Sequence, residues 1–203
     1  VARSVGINNL LVAERAGLPR GFKFLPEVVG VMPKGMKRGG MLIRAIPADI
    51  LKGKRQYLPL FALYGGSGRD SPPLIVEMIR KSGLDAEDFI RRRLIRPFIS
   101  QWLKLAIDLG IVMEPHAQNL LIELGRDGLP TRRFVHRDLA GFNADFDYRK
   151  ALGRPSPAEL PAVTSLADDY HVSHHEESLM QSLHCYFVGG FVYNLDKNMP
   201  KWR

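Results

Sequence analysis

The reading turns on Ile111–Phe142, IVMEPHAQNLLIELGRDGLPTRRFVHRDLAGF. Leu120-Leu121-Ile122-Glu123-Leu124 is a short β-prone run. Asp127-Gly128 follows, a pair that readily supplies the positive φ angles of a tight hairpin turn. Arg133-Phe134-Val135-His136 is the returning run. In an antiparallel hairpin the start of the first strand lies beside the end of the second. A turn centred near Asp127-Gly128 therefore places Gln118 and Asn119 opposite Arg137 and Asp138 to within a residue or two. One end of the hairpin gathers Glu114, His116, Gln118, Asn119, Arg137 and Asp138. Carboxylate and amide oxygens at one point suit magnesium, a hard cation that shares oxygen ligands with phosphates. The neighbouring Arg and His can hold phosphate oxygens. The plainer reading is a polar hairpin end that satisfies its own backbone; six convergent residues favour function.

Two family patterns meet here. His136-Arg137-Asp138-Leu139 with Asn143 matches the protein-kinase catalytic loop, H-R-D-L-x-x-x-N. No Gly-rich phosphate loop or V-A-I-K strand precedes it. Asp145-Phe146-Asp147 lacks the glycine of D-F-G, and no A-P-E follows. The closer resemblance is to the NRPS-independent siderophore synthetases, the IucA/IucC (aerobactin synthetase) family. That family's Glu-x-His-x-Gln-Asn motif stands here as Glu114-Pro115-His116-Ala117-Gln118-Asn119. Its Arg-Asp-Phe-x-Gly motif stands as Arg137-Asp138-Leu139-Ala140-Gly141, with Leu139 where the family has Phe. The lead-in from Trp102 to Ile111 and the segment Gly40-Met41-Leu42-Ile43-Arg44 also look like the family. The similarity runs from about Leu25 to about Phe142.

The resemblance implies an α+β fold: a small antiparallel sheet with a central hairpin, packed on a predominantly helical region, the kinase-like palm of a siderophore synthetase. Residues 1–70 would form part of a strand-rich, fingers-like subdomain, and 71–203 a helical palm-like one carrying the hairpin. It implies an ATP-dependent ligase of iron acquisition that adenylates a carboxylate of citrate or a related acid, then condenses it with an amine or alcohol. His116 and Arg137 would be catalytic. Arg44, Glu114, His116, Gln118, Asn119 and Arg137 would bind ATP, and Asp138, Asn119 and Glu114 would hold Mg2+. The alternatives are a kinase-like phosphotransferase and a non-catalytic nucleotide-binding fragment. Family members are longer, so the resemblance implies a fragment.

Composition sets outer bounds. The 203 residues suffice for one substantial domain or two small ones. Hydrophobic content of 45% and charged content of 25% are ordinary for a globular protein. The single cysteine, Cys185, leaves no intramolecular disulfide and agrees with a reducing cytoplasm. No apolar run reaches membrane-spanning length. A net charge of +8 favours anionic partners. No nucleic-acid motif is present, so the charge reads as a field favouring anionic small molecules, with no nucleic acid and no membrane; the resemblance implies a small carboxylate and an amine or alcohol as partners, and a homodimer is left open.

Along the chain, Ser4 is expected to cap a helix ending at Gly17. Phe22–Met32 reads as strands with a bend, and Met41–Ile46 as a strand ended by Pro47. Without the resemblance, Arg44 on that strand is a surface arginine paired with a carboxylate. Gly65–Asp70 lacks Walker spacing and reads as a connector. Ser71-Pro72 opens a helix closed by Gly83, and Asp85 caps the next. Phe89, Leu94, Phe98, Trp102, Leu105 and Leu109 mark one buried helical face, with a kink at Pro97 and an end at Gly110. Tyr148–Ala162 reads as loop and Leu166–Asn194 as mostly helix, with Gly189-Gly190 interrupting. His171, His174, His175, Glu176 and Glu177 match no H-E-x-x-H zinc pattern. Cys185, among Leu183, Tyr186 and Phe187, is expected to be buried.

Overall fold

Gly128 adopts a φ of 74°, and the chain doubles back there as the residue pair dictates. A computed structural model describes residues 1–34, 40–66, 71–155 and 179–198. In chain order its elements are α1 (Ala2–Ala13), β1 (Phe22–Phe24), β2 (Glu27–Val31), β3 (Met41–Arg44), α2 (Ala48–Leu51) and β4 (Gln56–Pro59). After a 3-10 turn, Leu60–Tyr64, come α3 (Leu74–Ser82), α4 (Ala86–Ile90), a π-wound segment Arg91–Ile95, and α5 (Arg96–Leu109). Then follow β5 (Ile111–Met113), β6 (Leu120–Leu124), β7 (Pro130–His136), β8 (Phe142–Ala144) and α6 (Phe146–Ala151). Ser182–Val192 is again π-wound and continues as a helix over Tyr193–Asn198.

The central hairpin is β6–β7, with Leu120 opposite His136 and Ile122 opposite Phe134. It sits in the middle of a four-stranded sheet ordered β1-β7-β6-β4. The α+β class holds, with one correction to an antiparallel sheet: β1 joins β7 in parallel. Strands from both sides of residue 70 share this sheet. Leu120, Ile122 and Phe134 turn one face of the sheet to the core, where α5 packs with Phe98, Trp102, Leu105 and Leu109. All six apolar residues that the helical spacing picked out are buried.

Pro97 acts one turn upstream of itself. It has no N–H to give, and the preceding turn widens so that the N–H of Arg96 bonds the carbonyl of Arg91. Gly110 ends α5 in the left-handed conformation, φ 61°. The Trp102 indole N–H donates to the Met113 carbonyl over 3.1 Å, fixing the exit strand β5 against the helix.

Other local expectations need correction. α1 starts at Ala2 with no side-chain cap, and Ser4 is buried within it; as the third helical residue it cannot cap. α3 starts at Leu74 after Pro73, again uncapped, so Ser71 is not its cap. β3 stops at Arg44, short of Ile46. Part of the expected loop after Tyr148 is α6, capped by Asp145 accepting from the Tyr148 N–H over 2.9 Å. Cys185 is exposed, not buried. In the π-wound helix Ser182, Phe187 and Phe191 form the buried face. That wider winding passes through Gly189-Gly190 without a break and turns Cys185 outward. Most of the Gly65–Asp70 connector and the cluster His171, His174, His175, Glu176 and Glu177 lie outside the described residues.

Candidate functional site

Two short ladders assemble the site. The hairpin register brings Asn119 beside Arg137: the Arg137 N–H donates to the Asn119 carbonyl over 3.0 Å. The two-stranded β5–β8 ladder pairs Met113 with Phe142, so Glu114 and Gly141 leave it side by side. The Glu114 N–H donates to the Gly141 carbonyl over 2.8 Å. The EPHAQN and RDLAG segments are thereby clamped together at two points.

Asp138 stands at the centre. The Asn119 amide donates to its Oδ2 over 3.3 Å, and Nη2 of Arg44 lies 3.7 Å from its Oδ1. Its backbone is left-handed, φ 65° and ψ 71°, a conformation Asp tolerates better than most residues and one that clusters at functional positions. The side chain remains 44% exposed, so both oxygens can accept a further partner.

Arg44 comes from β3, in a separate two-stranded sheet with β2. Its Nε donates over 2.7 Å to Oε1 of Glu27, whose side chain is fully buried. Arg44 is thus paired with carboxylates, as a plain surface arginine would be, and one of them is Asp138. The sequence carried no signal for Glu27: a single glutamate after Pro26 has no periodicity to mark it.

His116 is exposed. Its Nδ1 accepts from the Gln118 N–H over 3.2 Å, and its carbonyl accepts from the Asn119 and Leu120 N–H groups. Arg137 places Nε and Nη2 on the Gln118 carbonyl at 3.1 and 2.8 Å. Two guanidinium nitrogens therefore brace the loop. Glu114 lies over Gly141, where an added Cβ would meet its Oε2 at 3.4 Å. The negative charge of Glu114, with burial, pushes the Tyr186 phenol up, and the Tyr186 ring centre lies 6.1 Å from that of His116. Tyr186 was read from sequence only as a neighbour of Cys185.

Beside His116 opens a cavity of about 450 Å³, lined by Phe61, Tyr64, His116, Gln118 and Asn194. Asn143, which a kinase would turn toward its metal, accepts from Arg3 over 2.8 Å through Oδ1. His136 is buried against Phe22, ring centres 4.7 Å apart. Burial drives its pKa down to about 3, so it is neutral and packs as an aromatic. Among the described residues no three His, Cys, Asp or Glu side chains could together hold a metal ion. A cation here would take Asp138 and Asn119 oxygens from the protein and the rest from phosphate and water, the usual habit of magnesium.

The chain is similar over 98% of its length to the structure of the petrobactin biosynthesis protein AsbB from Bacillus anthracis str. Sterne, at TM-score 0.73 and 21% identity. It is similar over 98% of its length to aerobactin synthetase IucC from a hypervirulent pathotype of Klebsiella pneumoniae, at TM-score 0.71 and 16% identity. ATP-bound aerobactin synthetase IucA from the same source matches 93% of the chain at TM-score 0.53 and 13% identity, with 42% of that structure covered. At such identities the likeness is one of fold. The chain spans 36% of the length of AsbB and of IucC. No curated protein matches it in sequence. Residues 92–193 match the family described as ferric iron reductase FhuF-like transporter, though no described helix is long and apolar enough to cross a membrane. The chain belongs to this FhuF-like family, whose domain is the C-terminal region of the siderophore synthetases, and it carries their fold, as its paired motifs led us to expect.

Proposed function

We propose that the chain is the nucleotide-handling part of a cytoplasmic siderophore synthetase. The whole enzyme would be an ATP-dependent ligase joining a carboxylate of citrate or a related acid to an amine or alcohol. One observation carries this reading: Arg44 and Asn119, from two separate segments, converge on the exposed carboxylate of Asp138, which stands on a third. The solved structures of similar fold include an ATP-bound one.

In this reaction a carboxylate oxygen attacks the α-phosphorus of ATP, and the bond to pyrophosphate breaks. The amine or alcohol then attacks the acyl carbon, loses its proton, and AMP leaves. The first step brings two anions together, so fixed positive charge lowers its barrier. Magnesium, when bound, supplies part of that charge. Asp138 and Asn119 would hold the ion, and Arg44 would face the phosphates. Arg137 would brace the Gln118 loop and add to the positive field. His116, at the mouth of the aromatic-lined cavity, would contact the nucleoside. Glu114, over Gly141 between the two motifs, would face the bound nucleotide.

Calorimetry with ATP and magnesium, and product analysis with citrate and an amine, test this. The reading expects nucleotide binding that Asp138→Ala abolishes, with AMP and pyrophosphate as products. ADP as product would assign a phosphotransferase instead, and turnover unaffected by Asp138→Ala would reject both.

A further inference from the structure

Toward the turn end of the hairpin, between β7 and the start of α5, opens a cavity of about 510 Å³ lined by Arg91, Arg92, Arg96, Pro97, Ser100 and Arg132. Arg132 lies six residues along the chain from Asp138, roughly 20 Å at strand spacing. One small ligand cannot touch both.

A backbone irregularity shapes each wall. On the helix side, the Arg96 N–H bonds the carbonyl of Arg91, five residues back. Residues five apart face different sides of an ordinary α-helix. The wider turn brings Arg91 and Arg96 toward one side, and Arg92, four residues before Arg96, shares its face. Like charges at that spacing cost helix stability. On the sheet side, Arg132 sits where the β6–β7 register shifts, opposite Glu123. Its φ is 70°, an uncommon conformation for a residue other than glycine. The core holds it there: Nε2 of Gln101, a residue 5% exposed, donates to the Arg132 carbonyl over 3.0 Å.

The charges round the cavity do not balance. Asp88 pairs with Arg91, and with Arg92 at 2.8 Å. Glu87 and Asp85 also act on Arg91 through space. All three carboxylates stand at the α4 end. Among the described residues, the side chains of Arg96 and Arg132 have neither an ion-pair nor a hydrogen-bond partner. Two uncompensated guanidiniums therefore share one concave surface. Each carries five N–H donors in a planar fork that grips an oxyanion at two points.

We propose that this cavity is a second anion site, separate from Asp138, that takes a small multivalent oxyanion bearing phosphate or carboxylate groups. Arg96 and Arg132 are its ligands. Arg91 and Arg92, partly neutralised by Asp88, add positive field. The site goes beyond the ligase reading and stands if that reading fails.

The test is calorimetry on the whole chain at low salt and without magnesium, using inorganic pyrophosphate, citrate and, as the monovalent control, acetate. The expected result is a Kd of about 1 mM or tighter for at least one multivalent anion, with acetate weaker. Tighter pyrophosphate assigns a phosphate ligand, and tighter citrate a carboxylate. Arg96→Gln changes an exposed helix position, and Arg132→Asn tolerates the left-handed backbone. Each should weaken binding at least about fivefold while thermal unfolding stays unchanged. Lys52→Gln, which removes one exposed positive charge at the end of α2, should leave binding as it is. Absence of multivalent-anion binding, binding indifferent to both arginine variants, or equal weakening by Lys52→Gln overturns the proposal; the four arginines are then a solvated basic surface and nothing more.

Discussion

Nε of Arg44 donates over 2.7 Å to Oε1 of Glu27, a side chain with no exposed surface. The other carboxylate oxygen, Oε2, is buried without a hydrogen-bond partner. A buried carboxylate left half-satisfied is costly, so its grip on Arg44 is strong. That grip fixes where the far end of the guanidinium sits, 3.7 Å from Asp138. Glu27→Gln keeps the shape and removes the charge. It is expected to weaken ATP binding about tenfold, with a larger effect on KM than on kcat. Arg44→Lys is not expected to substitute, because one ammonium cannot serve both carboxylates in this geometry. Titration of ATP into each variant, beside steady-state kinetics, checks both statements.

Asp138→Asn separates the carboxylate from the backbone. Asparagine tolerates the left-handed conformation found here, so stability should change by less than about 0.5 kcal/mol. Magnesium-dependent ATP binding should fall at least about tenfold, and pyrophosphate release about a hundredfold or more. Thermal unfolding and a pyrophosphate assay on the same preparation measure the two effects.

His136 should make the fold acid-sensitive. Its folded pKa is depressed to about 3 by burial, against an ordinary value of 6.5. Between those values the unfolded chain binds a proton that the folded chain refuses, so stability falls as pH is lowered through that window. The loss approaches roughly 5 kcal/mol at its lower end. His136→Phe, which keeps an aromatic ring against Phe22, should flatten the dependence of urea midpoint on pH from about 6.5 downward. Unchanged pH dependence in that variant would show that other groups control acid unfolding.

Gly110→Ala and Gly83→Ala form a matched pair. Both glycines end helices with positive φ, 61° and 68°. A Cβ at Gly83 meets nothing within 4 Å, whereas at Gly110 it would lie 2.6 Å from Cγ of Arg149. Arg149 is itself buried and paired with Glu14 at 2.6 Å. Gly83→Ala should cost about 1 kcal/mol from backbone strain alone. Gly110→Ala should cost at least about 2 kcal/mol more, because Arg149 cannot move without breaking a buried ion pair. Denaturant unfolding of both variants gives the difference directly.

The hairpin was readable from the chain alone because its signals are local. A turn pair, two β-prone runs and an antiparallel geometry set which residues face which, and Asn119 does meet Arg137 and Asp138. The buried face of α5 and the stop at Gly110 followed from spacing and from one glycine. Cys185 misled because its apolar neighbours suggested burial under ordinary helical winding, and the segment is wound more widely. Ser71 misled because a capping residue type before a proline is only a propensity, and the helix begins beyond both.

What the sequence determined by itself is therefore the hairpin, its register, the helix that supports it, and the meeting of the two motifs at one end. These depend on residues close in the chain, where turn geometry and side-chain period leave few alternatives. Tertiary structure alone decided that Glu27 anchors Arg44, that the Glu114 charge acts on Tyr186, and that Lys23, Arg55 and Arg133 surround Glu123. Each of these joins distant segments through a charge or a hydrogen bond. Such pairings carry no periodicity, and only the folded arrangement of sheets and helices selects the partner.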